Sequence, residues 1–214
     1  MADLSNRRPL ASRQSGWAAR ITRRLAGTSV SPNQISAAGM VAALGAGAAF
    51  WAAGGSGPWV RALLLVLAAC LCQLRLLCNL FDGMVAVEAG RGAPDGGFWN
   101  EAPDRVSDLL ILLGLGLSVG DPALGWAAVT MAFLTAYLRE LGVNCGQPAD
   151  FSGPMAKQHR MALVTGAALL SLAEPLWHGH GGVLRAALWV LVLGTAFTAL
   201  RRAVRLVTRL RGRG

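Results

Sequence analysis

The sequence predicts an all-α membrane protein: a bundle of six transmembrane helices preceded by an amphipathic helix at the membrane interface. Hydrophobic residues make up 54% of the 214 residues and charged residues only 14%, and the mean hydropathy is +0.46. A soluble domain of this size usually contains about a quarter charged residues. The apolar residues also fall into six runs, each near the ~20 residues that a membrane-crossing helix needs.

The chain divides into three predicted regions, which are a basic N-terminal segment (1–30), a six-helix domain (31–200) and a basic C-terminal tail (201–214). Within the first region, residues 17–25 alternate apolar and basic side chains, which is typical of a helix lying on anionic headgroups. A solvated tail that acts only as a topology signal is the alternative. The sequence Ser31-Pro32-Asn33-Gln34 then predicts a turn and the start of the first span.

The six predicted spans are 35–53, 60–82, 106–120, 122–141, 161–177 and 183–200. The third is short and ends at Asp121-Pro122, where proline also interrupts the helix pattern before the fourth. The C-terminal tail is expected to be a basic, partly disordered extension of the sixth helix.

Charge sorting supports the six-span count. The net charge is +9, and 17 of the 20 basic residues fall on the face that holds both termini and the loops 83–105 and 142–160. The positive-inside rule makes this face cytoplasmic. Aromatic side chains are not interleaved with the arginines, so a nucleic-acid partner is not expected. The expected surroundings are membrane lipids.

The four cysteines form no CxxC pair, and three of them lie in or at the end of one apolar run. They are expected to be small apolar core residues rather than disulfide or zinc cysteines.

Polar side chains gather where the second run ends and the third begins. Asn79 and Asp82 share one helix face, while Asn100, Asp104 and Asp108 share another. A Gly/Pro loop at 89–97 lets two antiparallel helices bring these faces together. Carboxylates at a membrane boundary are costly unless a cation lies among them, and oxygen-only ligands favour Mg²⁺, Mn²⁺ or Ca²⁺. Ordinary helix capping is the alternative interpretation.

The spacing of this segment resembles the signature of the CDP-alcohol phosphotransferases, D-x2-D-G-x2-A-R-x8-G-x3-D-x3-D. Here it reads Asn79-x2-Asp82-Gly83-x2-Ala86-Val87-x8-Gly96-x3-Asn100-x3-Asp104, and every interval matches. The resemblance covers about residues 28–200 and includes the six-span outline. It implies a divergent bacterial branch of that family, in the inner membrane, with both termini and the active site cytoplasmic.

Three positions depart from the family pattern. Asn79 and Asn100 replace aspartates, and Val87 replaces the arginine. An amide oxygen can still coordinate a metal, but the cradle lacks two negative charges. Glu88, Glu101 and Asp108 lie nearby in sequence and could restore charge.

The resemblance implies transfer of a phosphatidyl group from CDP-diacylglycerol to a small alcohol, with release of CMP, in phospholipid synthesis. It implies Mg²⁺ or Mn²⁺ as cofactor and Asp104 as general base. The expected metal ligands are Asn79, Asp82, Asn100, Asp104 and Asp108. The expected nucleotide-binding residues are Gly83, Ala86 and Gly96, which leave room for the nucleotide and its diphosphate.

Three cations flank the second loop of the same face. Arg139, Lys157 and Arg160 are expected to hold phosphates of the donor or of the acceptor. Plain positive-inside flanking charge is the alternative, most of all for Lys157. Arg139 and Arg160 fall where the family uses basic residues.

Two other functions remain open at this stage. The same fold could transfer a soluble CDP-alcohol to diacylglycerol, or the chain could be a transporter or a catalytically silent scaffold with a vestigial metal cluster. The acceptor alcohol is not specified. Small residues of the first span, among them Gly39, Ala43 and Gly47, serve either the bundle core or a dimer interface, and the family is commonly homodimeric.

Overall fold

The computed structural model describes residues 15–88, 90 and 94–212, and within them it contains helices and no strand. The seven α-helices are α1 (Gly16–Ala26), α2 (Pro32–Gly54), α3 (Pro58–Glu88), α4 (Gly96–Ser118), α5 (Pro122–Asn144), α6 (Lys157–Leu170) and α7 (Gly182–Arg211). A 3-10 helix, Ser171–Trp177, follows α6. The all-α fold class is therefore confirmed for this part of the chain.

Three helices, α2, α3 and α7, are long and apolar enough to cross a membrane. They correspond to the first, second and sixth predicted spans. Within the described residues, α4 and α5 equal α2 in length, at 23 residues each, but lack an 18-residue stretch that is both apolar enough and poor enough in charge, and α6 has only 14 residues. The count of six spans therefore stays a prediction.

The helix boundaries differ from the apolar runs at the site-bearing end. The helix α4 begins at Gly96, ten residues before the predicted third span, and it contains Pro103. The polar first half of α4 stays helical because Asp104 and Arg105 are paired inside the protein. Hydropathy detects only the apolar half of such a helix. Arg91 and part of the predicted 89–97 loop lie outside the described residues.

Two further boundaries needed correction. The predicted fifth span is not one α-helix, because it changes to a 3-10 helix at Ser171 and contains Pro175, which lacks the backbone N–H that a regular turn needs. The helix α7 continues to Arg211. Most of the predicted C-terminal tail is therefore helical, and residues 213–214 lie outside the described residues.

The starts of α2 and α5 follow the local sequence. Gln34 N donates to Ser31 Oγ (3.2 Å) and Ser31 N to Gln34 Oε1 (2.9 Å), so a reciprocal capping box begins α2. Asp121 accepts from Leu124 N at 2.9 Å and caps α5. Proline follows each cap, at the position where its missing N–H is harmless.

The predicted amphipathic segment forms the helix α1. It packs on the C-terminal end of α3, which we predict to lie near the cytoplasm. Ala18 and Thr22 are buried, and Trp17 meets Phe81 edge to face at 6.1 Å between ring centroids. The side chains of Arg20, Arg23 and Arg24 are exposed on the opposite side. This arrangement suits a helix that lies on a headgroup layer. The basic residues before position 15 lie outside the described residues.

Glycines allow α2 and α4 to touch backbone to backbone. A methyl group added at Gly114 would overlap the backbone of Gly47, and one added at Gly47 would overlap the backbone of Leu110. Inside a bilayer the hydrophobic effect does not drive helices together, so they associate by close packing through small residues. Gly47 therefore serves the bundle core of the protomer.

We expect Gly114→Ala to destabilise the protein by about 1–3 kcal/mol, the usual cost of overpacking a filled core. The matched control is Gly166→Ala in α6, where an added methyl group meets nothing within 4 Å. That change should be neutral or stabilise by up to about 1 kcal/mol through helix propensity. Unfolding of the detergent-purified proteins measures both, and equal stabilities would contradict the close packing of α2 on α4.

A buried ion pair joins α3 to the 3-10 helix at the opposite end of the bundle from the polar motif. Arg61 Nη2 lies 2.8 Å from Glu174 Oε2, and both side chains are buried. Glu174 also accepts from Ser171 Oγ and from the backbone N–H groups of Gly181 and Val183. This network fixes the irregular segment where α6 ends.

All four cysteines are free thiols in the structure. Cys72 is buried and Cys78 partly buried, but Cys70 and Cys145 are exposed. The expectation that the cysteines are core residues is therefore wrong for Cys70 and Cys145.

Candidate active site

Asp104 is the meeting point of α3, α4 and α6. Its Oδ1 accepts from Arg75 Nη2 at 3.0 Å and from Asn79 Nδ2 at 3.1 Å. Its Oδ2 accepts from Lys157 Nζ, and Arg105 lies 3.8 Å from the same oxygen. The carboxylate is buried and surrounded by cationic and amide donors.

Asn79 completes this arrangement from the neighbouring helix. While its Nδ2 donates to Asp104, its Oδ1 accepts from Lys157 Nζ at 2.6 Å. Both the nitrogen and the oxygen of the Asn79 amide are therefore engaged in hydrogen bonds. Lys157 links an oxygen of α3 to an oxygen of α4. Asn79 and Asp104, one from each of the two predicted helix faces, are thus in direct contact.

Asp108 lies one turn deeper and is fully buried, at 0% exposure. Its Oδ2 accepts from Arg160 Nη2 at 2.6 Å, and Arg75 Nη2 is 3.9 Å from its Oδ1. Arg160 also reaches Thr135 Oγ1 and Met155 O. Asp108 and Arg160 thus form a buried pair that ties α4 to α6.

Asp82 has different partners. Ser36 Oγ donates to its Oδ2 at 2.6 Å, and the Gly83 backbone N–H donates to its Oδ1 at 2.5 Å. Among the described residues no hydrogen bond links Asp82 to Asp104, although the charges of Asp104 and Lys157 both act on it. Asp82 therefore borders the Asp104 cluster without sharing a hydrogen-bond partner with it.

Asn100 does not join the cluster in the structure. It is exposed, and its Nδ2 donates to Glu101 Oε1 at 3.3 Å. Of the predicted nucleotide-binding residues, Gly83 and Ala86 lie in the last turns of α3, and Gly96 begins α4. A methyl group added at Gly96 would meet nothing within 4 Å, so open space borders the start of α4.

Arg139 lies at the edge of the site and connects α5 to α4. It pairs with Glu101 of α4 and with its neighbour Glu140. Its guanidinium carbon lies 5.5 Å from the centroid of the Phe151 ring, within the range of a cation–π contact. Arg139 is therefore held in place on several sides and does not touch Asn79 or Asp104.

The loop 145–156 leads into α6 and is anchored on α7. Arg202 Nε donates to Ser152 O at 3.0 Å, Arg205 Nη1 to Ser152 Oγ at 2.5 Å, and Met155 N to Thr198 Oγ1 at 3.1 Å. Asp150 Oδ2 lies 3.5 Å from Arg205. These contacts fix the point at which Lys157 enters the site.

The Asp150 carboxyl is held charged in this loop. Burial acts to raise its pKa, but hydrogen bonds from Ser152 and the charges of Arg205 and Arg202 hold that pKa below its usual range. Its contribution to the anchoring is therefore complete above the ordinary pKa of an aspartate. It is lost as the pH falls through the lowered pKa.

Arg75 and Ser36 are site residues that the motif does not contain. Arg75 is an arginine within an apolar run, and such a residue is usually buried against a partner or a cavity. It precedes Asn79 by four residues, so it shares the helix face of Asn79. The four-residue spacing between Arg75 and Asn79 was the feature of the sequence that could have identified Arg75 as a site residue. Ser36 contacts Asp82 across 46 residues, and no local pattern indicates such a contact.

The residues fit a divalent cation in chemistry, because Asn79, Asp82 and Asp104 offer only oxygen atoms. The structure also shows one cation, the Lys157 ammonium, between Asn79 Oδ1 and Asp104 Oδ2. Within the described residues no three His, Cys, Asp or Glu side chains could hold a metal together. The Asn79 amide would therefore be a necessary member of any metal site here.

Three solved structures of Mycobacterium tuberculosis phosphatidylinositol phosphate synthase are similar to this chain. One, with CDP-DAG bound, has a TM-score of 0.73 and 18% identity and covers 90% of this chain and 94% of the other. Another, in complex with manganese and citrate, has a TM-score of 0.74 and 19% identity and covers 89% of each chain. The apo form has a TM-score of 0.69 and 19% identity, with coverage of 88% and 94%.

No family profile matches the sequence, and no curated protein sequence matches it. At 18–19% identity the structural likeness shows a shared fold. This fold is the one that the resemblance in the motif implied. Sequence spacing and three-dimensional architecture therefore agree on the fold.

Proposed function

We propose that this chain is an integral membrane CDP-alcohol phosphotransferase with six spans. Its site and termini face the cytoplasm at a bacterial inner membrane. It transfers the phosphatidyl group of CDP-diacylglycerol to a small alcohol and releases CMP. The observation that carries this proposal is the convergence of Asp104, Asn79 and Lys157 in the fold of a synthase that was solved with CDP-DAG bound.

The site offers distinct places for the two halves of the donor. The cytidine nucleotide binds where the ends of α3 and α4 face each other, at Gly83, Ala86 and Gly96, and open space borders Gly96. Lys157 and Arg139 supply positive charge for phosphate, with side chains 19% and 15% exposed. Arg160 is only 3% exposed and is engaged with Asp108, so its role is to orient Asp108 and support α6.

Asp104 acts as the general base. The acceptor hydroxyl loses its proton to the Asp104 carboxylate as its oxygen forms a bond to the β-phosphorus. The bond between that phosphorus and the bridging oxygen breaks, and CMP leaves with the electron pair. Arg75 and Asn79 hold the carboxylate in position throughout. A divalent cation held by Asn79, Asp82 and Asp104 would neutralise the diphosphate and the leaving group.

The direct test is CMP release from CDP-diacylglycerol by the full chain, purified in detergent with Mg²⁺ or Mn²⁺. The acceptors to compare are glycerol 3-phosphate, inositol phosphate and serine, which differ in charge. We expect CMP with at least one acceptor and no CMP without any. Absence of CMP with all acceptors would contradict the proposed activity.

A catalytically silent scaffold is the second candidate, and a specific observation favours it. The Asp104 carboxylate is already engaged by Arg75, Asn79 and Lys157, so its acceptor sites are occupied by side chains. A scaffold would bind CDP-diacylglycerol without releasing CMP. Equilibrium binding of the lipid, measured beside the CMP assay, separates the two functions.

A further inference from the structure

We infer that Lys157 competes with a divalent cation for the oxygens of Asn79 and Asp104, so that a metal ion enters this site only when the lysine leaves it. This inference rests on the proposed function. Its first support is geometric, since Lys157 Nζ donates to Asn79 Oδ1 at 2.6 Å and to Asp104 Oδ2. The ammonium therefore lies between two of the oxygens that would hold a divalent cation.

The second support is compositional. Lys157 is the only lysine in the sequence, and all the other basic residues among the 20 are arginines. A lysine ammonium is a compact point charge on a flexible stem, whereas a guanidinium is a planar fork. The only lysine is thus at the position where, in this inference, a cation fits between two oxygens and then moves away.

Charge balance explains why both cations cannot stay. Asp82, Asp104 and Asp108 carry three negative charges, since asparagines stand at 79 and 100. Arg75, Arg105, Arg160 and Lys157 place four positive charges against them. A divalent ion added beside Lys157 would raise the excess from one positive charge to three at short range, which a buried site strongly disfavours. Departure of the lysine reduces that excess.

The position of Lys157 in the fold is compatible with movement of its side chain. It is the first residue of α6, and its stem can turn without any change in the helix. The preceding residue, Ala156, is buried, so the backbone is held while the side chain can move. A diphosphate entering the site offers the displaced ammonium a new anionic partner.

Binding of Mn²⁺ to the full chain in detergent, without lipid substrate, tests this inference through the electron paramagnetic resonance signal of free Mn²⁺. We expect Lys157→Met to bind Mn²⁺ at least about tenfold more tightly than the unmodified chain. The control, Arg185→Met, removes a cation at the opposite end of the bundle, where Arg185 donates to Val119 O, and should stay within about twofold. Equal affinities of Lys157→Met and the unmodified chain, or no binding by either, would overturn the inference.

A second measurement needs no variant and decides the matter if Lys157→Met does not fold. Since Lys157 is the only lysine, acylation of its peptide by an amine reagent, followed by mass spectrometry, reports on this side chain alone. We expect Mg²⁺ to increase the acylation rate by releasing the ammonium. A rate that Mg²⁺ leaves unchanged or lowers would overturn the inference. CMP release by the unmodified chain is scored separately, so failure of the proposed function is distinguishable.

Discussion

We expect Asp104→Asn to reduce CMP release from CDP-diacylglycerol by about 10²–10⁴-fold, the usual contribution of a positioned general base. An amide cannot take the proton of the acceptor hydroxyl. The substitution also removes the negative charge with which Arg75 and Lys157 pair in the structure. The measurement is the rate of CMP release at saturating acceptor, under conditions in which the unmodified chain is active.

The matched control is Asp121→Asn, which changes a carboxylate at the opposite end of the bundle. Asparagine there can still accept the N–H of Leu124 and cap α5, so CMP release should stay within about twofold. Thermal unfolding of both variants shows whether the protein is folded at the assay temperature. A folded Asp104→Asn protein that retains more than a tenth of the activity would exclude Asp104 as the base.

The second large effect is on stability. We expect Glu174→Gln to destabilise the protein by about 3–5 kcal/mol, the usual cost of breaking a buried ion pair by removing one partner. Glu174 is 1% exposed and Arg61 6%. The substitution leaves the Arg61 guanidinium buried without its counter-charge.

Two further variants make this prediction specific. Glu140→Gln removes a carboxylate whose side chain is 53% exposed, and a solvent-exposed pair contributes only about 0–1 kcal/mol. The double variant Arg61→Met/Glu174→Gln removes both charges but keeps a side-chain oxygen that can accept from the backbone N–H groups of Gly181 and Val183, and it should recover much of the lost stability. Denaturant unfolding in one detergent compares all of them. A Glu174→Gln protein within about 1 kcal/mol of the unmodified chain would contradict the structural role of this pair.

The helical class and the meeting of Asn79 with Asp104 could both be predicted, for related reasons. Apolar runs report on burial in lipid, and a fixed spacing on adjacent helices reports on facing side chains. Both signals are local or nearly so. The same reasoning failed to place Asn100, because its exposed side chain forms a hydrogen bond with Glu101 instead of turning towards the cluster.

Contacts between distant parts of the chain were not available from the sequence. Lys157 reaches Asp104 across 53 residues, and flanking charge explained its presence equally well. The role of Arg75 depends on which helix faces it. The change from α6 to a 3-10 helix depends on Pro175 together with the buried Glu174. The apolar run at 161–177 gives no sign of this change.

The anchoring of loop 145–156 on α7 connects the position of Lys157 to the orientation of this helix. Arg202 and Arg205, in the last turns of the 30-residue helix, donate hydrogen bonds to this loop. A helix of that length responds to bilayer thickness by changing its tilt. Because the loop ends where α6 begins, we expect a tilt of α7 to displace Lys157 relative to its two oxygen partners. Bilayer thickness should then change the distances that separate Lys157 from Asn79 and Asp104.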